Sequence, residues 1–393
     1  MDIRRFFIVA FAVCASAACS SSNKSVSERD YAGAGRAEIF SEAGKALSDN
    51  TKMIKRTLPM RDFKEIECGY VVTFNYTQSS DYSVTLTTTE QGHDLLEVYV
   101  DGGTLYVRGK AAKGKVERGR NTPEIILDVC SPNPRRIECT GVVKAKLSDI
   151  DTDDFTLAAG GVSNVNVGRI KGRAVKIYKG GAANLHGDAV RSSAGLDIKA
   201  GGTGNLEVAD VYCNSANMDK SGAANLKTGA VSVSGSLDIK SSGTGNIVSG
   251  DINCQSIKID KNGAAGVMSG KIVSRSTFGI SCTGTGVLSI TDMEALDVQM
   301  TIGGAAEVKV GRIMGTTLKI NQSGVGKSEI TFNGRQVDIS SSGARKMNIG
   351  VECDKLHVIH CGVSAMTITG TADDVKIEGS GAASVNCGGL NRF

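Results

Sequence analysis

The stretch "GGTGNLEV" at residues 201–208 decides the fold, because variants of it keep returning along the chain. "SGAANLKTG" follows at 221–229, "SGTGNIVSG" at 242–250, "NGAAGVMSG" at 262–270 and "TGTGVLSI" at 283–290. One glycine per unit serves as a marker, from Gly141 and Gly161 through Gly181, Gly202, Gly222, Gly243, Gly263, Gly284 and Gly304 to Gly381. The markers stand about 20 residues apart, the signature of a solenoid. Apolar residues recur at fixed offsets from them, as in Leu196 and Ile198 before Gly202 and Leu206 after it. Residues two apart on a strand share a face, so each unit sends two side chains inward, turns at glycine and sends in another. One unit cannot bury these alone; stacked units bury them as a column.

The units alternate between "GAA" and "GTG", so the closest matches lie two units apart, and a coil of about 41 residues has to be weighed. Charge decides. Lys199, Asp219, Lys240 and Asp260 hold the same place in successive units. With one unit per coil, opposite charges are neighbours about 4.8 Å apart along the stack. With two, lysine would sit on lysine and aspartate on aspartate, which is unfavourable. One unit of about 20 residues per coil is expected, with the four residues as a surface charge ladder and the longer echo following from charge alternation or an old duplication. The glycine then permits a tight corner, and Asn184, Asn205, Asn225 and Asn246 are placed to form a side-chain ladder. The corner is not a phosphate cradle: no helix start follows it and it recurs too often.

Composition agrees with β structure. The chain has 393 residues, 49 of them glycine, no Trp and only 5% aromatics. At 40% apolar residues and a net charge of +4 it is neither disordered nor strongly basic, and no basic stripe with interleaved aromatics points to nucleic acid.

Residues 1–18 read as a leader: Arg4 and Arg5, then the apolar run "FFIVAFAVCASAA". It ends in "SAAC", which resembles a bacterial lipobox with Ser16 where leucine is usual. Cys19 would then be the acylated N-terminus and the membrane anchor; the alternative is an ordinary secretory signal with Cys19 a bystander. Residues 19–55 form a polar tether in which 37–47 has a helical apolar face. Residues 56–140 read as alternating strands that cap the repeat, with "DGG" at 101–103 as a hairpin turn, and 141–393 as the repeat itself.

The opening strands, "RTLPMRDFKEIECGYVVTFNYT" and on to "GGTLYVRGK" at 110, followed by the Gly-x-Gly units, resemble the "putative auto-transporter adhesin, head GIN domain" family of envelope lipoproteins. The likeness spans about 56–393. It implies an all-β, right-handed parallel β-helix-like solenoid, an envelope location and no catalytic residues. Several corners read "GAA" where the family has Gly-Ser-Gly, and no C-terminal run of barrel strands accompanies the name.

Other constellations have plainer readings. His357 and His360, near Cys353 and Cys361, would point to opposite faces of a strand, giving surface histidines, inward cysteines and no metal site. Cys213, Cys254 and Cys353 share one place, filled elsewhere by Ser193 and Ser234, as small buried corner residues. Cys130 and Cys139 flank a loop that they could bridge. "DIDTDD" at 149–154 offers carboxylates for calcium, or a solvated loop. A catalytic β-helix acting on polysaccharide would need acids gathered in a groove, whereas here acids and bases alternate regularly. The expected protein is therefore non-enzymatic and needs no cofactor or metal. It is an outer-membrane-anchored envelope lipoprotein that meets host matrix, glycan or another envelope protein, or alternatively a self-associating element of the envelope.

Overall fold

Each unit of the repeat becomes three short strands separated by three corners, and every strand pairs in parallel with its counterpart in the next unit. Three sheet faces run the length of the stack. The strand after the corner glycine lies on face A, as where Thr203–Val208 pairs with Ala223–Thr228. The next lies on face B, as where Val231 faces Ile252. The third lies on face C, as where Ser236–Ser241 pairs with Ser256–Lys261. The partner is always one unit on, so one unit makes one coil. The computed structural model describes residues 52–110 and 123–392, all within the unit Asn50–Phe393. The leader, Cys19, most of the 19–55 tether and the 37–47 helical stretch lie outside the described residues.

Period-two alternation decides which side chains go in. In Ser236–Ser241 the burial strictly alternates, with Leu237, Ile239 and Ser241 inward and Ser236, Asp238 and Lys240 outward. The inward residues stack on themselves: Leu237 on Ile257, then on Phe278, then on Val298.

Parallel stacking begins ahead of Gly141. Strands β1 (Ile54–Leu58), β2 (Glu65–Cys68), β3 (Val71–Gln78), β4 (Ser83–Thr88), β5 (Leu96–Asp101), β6 (Thr104–Gly109), β7 (Ile125–Ser131), β8 (Arg136–Cys139) and β9 (Val142–Leu147) open the described chain. β2 pairs in parallel with both β6 and β8, and β3 with both β7 and β9. β6 and β7 thus lie in the stack although they follow β2 and β3 in sequence. β4 runs antiparallel on β7, β5 antiparallel on β6 and β1 antiparallel on β4, so these strands cover the first edge. An uncovered edge is a template for unwanted pairing. β5 and β6 turn at Gly102 and Gly103, both at positive φ (55° and 79°), as a two-residue hairpin loop requires. A short helix α1 (Glu90–Leu95) links β4 to β5, its start capped by Thr89 Oγ1, which accepts from the Gly92 amide at 3.2 Å.

The marker glycines form one column at the corner between faces C and A. Gly181, Gly202, Gly222, Gly243, Gly263, Gly284 and Gly304 all have positive φ, between 54° and 82°. At Gly243 a Cβ would stand 2.1 Å from the Gly222 carbonyl oxygen. Glycine is required twice over, by the dihedral and by the coil below. Asparagine ties the same corner along the stack: the Asn184 side chain accepts from the Asn205 amide at 2.9 Å, and Asn225 accepts from Asn246 at 2.9 Å.

The "GAA"/"GTG" alternation has its own cause inside the stack. Two residues before the marker, one inward column runs Lys179, Ala200, Lys220, Ser241, Lys261, Cys282. The lysines belong to the "GAA" coils and are almost wholly buried. Each ammonium reaches up into the "GTG" corner of the next coil and donates to main-chain carbonyls: Lys179 to Gly201 (2.8 Å) and Thr203, Lys220 to Gly245, and Lys261 to Thr285. The small residue in the next coil leaves room for the lysine stem. The fourth Gly-x-Gly corner, 324–326, receives its cation from above. Buried Arg345 donates to the Val325 carbonyl at 3.0 Å, to the Ala306 carbonyl and to Ser328 Oγ at 3.2 Å. Beside the surface charge alternation, the echo thus has an interior counterpart: a buried lysine in the coils of Gly181, Gly222 and Gly263, with carbonyl oxygens as its partners.

Two results follow. Gly243→Ala forces alanine into the left-handed region and against a backbone oxygen, so its unfolding free energy should fall by about 1–3 kcal/mol. Gly180→Ala, whose Cβ would meet nothing within 4 Å, should change it by less than about 0.5 kcal/mol. Urea unfolding of the two variants beside wild type checks this. Burial pushes the Lys179, Lys220 and Lys261 ammonium groups below the ordinary lysine range. Between the depressed value and the unfolded one, the unfolded chain holds more protons, so these lysines cost less stability as pH rises. A Lys179→Met/Lys220→Met/Lys261→Met variant should therefore lose stability relative to wild type as pH rises through the alkaline range toward the ordinary lysine value of 10.5. A difference constant across that range would contradict the assignment.

Candidate binding faces

Face C carries on its outward columns the charges singled out in the sequence. One column runs Tyr99, Tyr106, Glu67, Glu138, Ala158, Tyr178, Lys199, Asp219, Lys240, Asp260. The four ladder residues are thus direct neighbours on successive coils. Their ion pairs close along a strand instead of across coils: Lys199 reaches Asp197 at 3.3 Å, and Asp260 is reached by Lys258 at 2.9 Å. The ladder therefore acts by register, with like charges kept apart, rather than by direct contact; exposed pairs contribute only about 0–1 kcal/mol in any case.

The aromatic end of that column lies on the β5–β6 hairpin. Tyr99 and Tyr106 stack with centroids 5.2 Å apart. The Arg108 guanidinium lies 4.2 Å over Tyr106 and donates to Glu67 at 2.9 Å. Further along, the Tyr178 hydroxyl donates to the Asp197 carboxylate at 2.9 Å. Burial, and then that hydrogen bond, push the Tyr178 phenol up to about 12. The carboxylate responds in the opposite sense, held below its usual range by Asn217, Tyr178 and Lys199 against the opposing effect of burial.

Two grooves follow the corners beside face B. A groove of about 980 Å³ is lined by Lys271, Glu294, Lys309, Arg312, Glu329 and neighbouring threonines. Most of its charges are matched: Lys271 pairs with Glu294 at 2.5 Å, Lys309 with Glu307 at 3.0 Å and Lys327 with Glu329. A groove of about 820 Å³ lies nearer the opening strands, around Arg135, Asp153, Arg191 and Tyr212.

The remaining sequence constellations resolve as follows. In "DIDTDD", Asp149 pairs with Arg169 (2.6 Å), Asp151 with Lys171 (2.9 Å) and Asp154 with Arg173 (2.6 Å). Cations one coil on take these carboxylates, and the Arg169 side chain and amide hold the Asp149 carboxyl below its usual range. His357 is half-exposed beside Asp338 and Glu378, at 3.7 and 3.9 Å. His360 corrects the expectation of two surface histidines: it is fully buried, in register with Ser341 in the column that carries the lysines, and lies 3.1 Å from the Ser364 carbonyl. Cys353 is inward as expected, while Cys361 is only half-buried.

Cys213 pairs with Ser192 on one side and Val233 on the other. The residues sharing its place are thus Ser192 and Val233, one position earlier than Ser193 and Ser234. The shift lies at the bulge between Ser192 and Gly195. Cys139 does not approach Cys130 across a loop. It lies in register with Cys68 on face C, while Cys130 lies on face A, and all three thiols are free. Burial pushes the Cys139 thiol up to about 12 and Cys68 well above the ordinary range, so both are held as neutral thiols.

No curated protein matches the chain. Several solved structures do. A putative adhesin from Bacteroides fragilis is 15% identical, with 86% of this chain and 97% of that one covered at a TM-score of 0.26. A putative adhesin from Parabacteroides distasonis is 15% identical, covering 86% and 98% at 0.24. A putative lipid binding protein from the same species is 16% identical, covering 86% and 97% at 0.27. TM-scores this low carry no argument about shape or role. The family match is more direct but shorter than the 56–393 span of the resemblance: it ends at Asp251, although the same coil continues beyond it. Residues 62–251 match the model of the family described as "Putative auto-transporter adhesin, head GIN domain".

Proposed function

We propose that the chain is a non-enzymatic adhesin head of the cell envelope. It presents rigid solenoid faces to an extracellular partner and is held to the outer membrane by acyl chains on Cys19. In this reading 1–18 is the lipoprotein leader, 19–55 the tether, 56–140 the opening of the head and 141–393 the repeat. The carrying observation is the family match over residues 62–251. The use of the ionisable side chains supports it. The carboxylates of "DIDTDD" are tied to cations one coil on, and the interior lysines to main-chain carbonyls. Such groups hold coils together and leave little free acid–base chemistry. Among the described residues no helix is long and apolar enough to cross a membrane. Host matrix, glycan or another envelope protein is the partner class.

Two measurements test the reading. In the native cell, wild type should sediment with membranes and be cleaved by protease added to intact cells, and Cys19→Ala should be released. A Cys19→Ala protein that stays membrane-bound would remove the lipid anchor. The purified protein should adsorb saturably to surfaces coated with extracellular matrix or mucin. Adsorption no greater than to albumin-coated plastic would remove the adhesin role.

A further inference from the structure

The groove around Arg135 and Arg191 differs from the other in its charge balance. It is lined by five cations, Lys64, Arg135, Lys171, Arg173 and Arg191, and by three carboxylates, Asp151, Asp153 and Asp154. Lys171 closes on Asp151 and Arg173 on Asp154. Among the described residues that leaves Lys64, Arg135 and Arg191 without an ion-pair partner, against Asp153 alone. The excess is built by the coil register. Asp151, Lys171, Arg191 and Tyr212 form one outward column on face B, and the Arg135 amide donates to the Lys64 carbonyl at 2.7 Å, which holds those two side chains at the same end.

Arg191 is placed more firmly than an ordinary surface arginine. Its guanidinium carbon lies 4.2 Å from the centroid of the Tyr212 ring. A cation–π contact steadies the guanidinium without using a hydrogen-bond acceptor, so its donor edge remains for a ligand. That edge matches a planar carboxylate, or two oxygens of a sulfate, in a bidentate fashion. The groove floor is held down at Gly172, where a Cβ would meet the Thr152 carbonyl oxygen at 2.6 Å. Asn133, Thr152 and Ser193 supply hydroxyl and amide groups along the wall. Fixed cations at intervals, hydroxyls and amides between them, and an open trough of about 820 Å³ suit a chain of acidic sugars. The groove gathers its cations from several coils into one short trough, which suits a short acidic-sugar segment.

We propose that this groove binds acidic polysaccharide, through carboxylate or sulfate groups held by Arg191 and Arg135. The proposal rests on the adhesin reading above and names its ligand class. The probes are immobilised polygalacturonate (carboxylate only), heparin (sulfate and carboxylate), neutral dextran and a duplex DNA oligonucleotide, presented to the purified protein at increasing salt. Binding is expected to at least one acidic polysaccharide, weakening as salt rises, with none to dextran; which of the two binds tells carboxylate from sulfate recognition. Arg135→Ala/Arg191→Ala should weaken it by roughly tenfold or more, and Arg191→Lys, which keeps the charge but loses the flat fork, by an intermediate factor. Lys319→Ala/Lys346→Ala, both exposed and outside the groove, should leave it unchanged. Melting curves confirm that each variant is folded, and Arg191→Gln alone replaces the double variant if that one is not. Failure of both acidic polysaccharides to bind, equal binding by the groove variants, or tighter binding to DNA would overturn the proposal. If the protein still adsorbs to matrix while neither polysaccharide competes, only the groove assignment falls. If it adsorbs to nothing, the adhesin reading falls with it.

Discussion

The corner between faces C and A is the constraint on which the rest depends. Each coil must reverse direction there directly above the carbonyl of the coil below. Only a residue without Cβ fits, and only with φ in the left-handed region. Because the same demand is met at Gly181, Gly202, Gly222 and onward, all coils turn at the same place. That common turning point keeps the parallel register in step over the whole stack, and register in turn decides every other contact. It puts leucine on isoleucine inside, asparagine on asparagine at the corner and aspartate beside lysine outside.

Register also explains how the stack tolerates buried cations. An isolated ammonium in an apolar core is costly. Here each one sits at a corner where main-chain carbonyls accept its hydrogen bonds. Lys179, Lys220 and Lys261 enter from the coil below. At the corner 324–326 the preceding coil carries Ile302 in the lysine's place, and Arg345 supplies the charge from the coil above. The electrostatic requirement is kept although the residue that meets it changes.

Much of this was legible in the sequence. The period, the corner glycines, the apolar offsets and the charge argument for one unit per coil needed only spacing and sign. The interior lysines were equally visible, as "KGGAA", "KSGAA" and "KNGAA" at 179–183, 220–224 and 261–265. The local pattern hides their burial, because a lysine beside a glycine turn reads as solvated until its parity with the inward residues is counted. The same parity places His360 inward. The crossing order of the opening strands, with β6 and β7 stacked outside β2 and β3, follows from long-range pairing that no local pattern encodes. The groove cations come from separate coils and meet only once those are stacked.

Cross-linking between coils tests the stack most directly. Cysteines introduced in pairs on face C, Lys199→Cys with Asp219→Cys or Lys199→Cys with Lys240→Cys, are oxidised and the joined peptides identified by mass spectrometry. With one unit per coil, 199 and 219 are in-register neighbours about 4.8 Å apart, within disulfide reach, and 199 and 240 are two coils apart, beyond it. The 199–219 pair should close and the 199–240 pair should not. Closure of 199–240 with failure of 199–219 would mean two units per coil, and the corner column, the interior lysines and the groove register would all have to be abandoned.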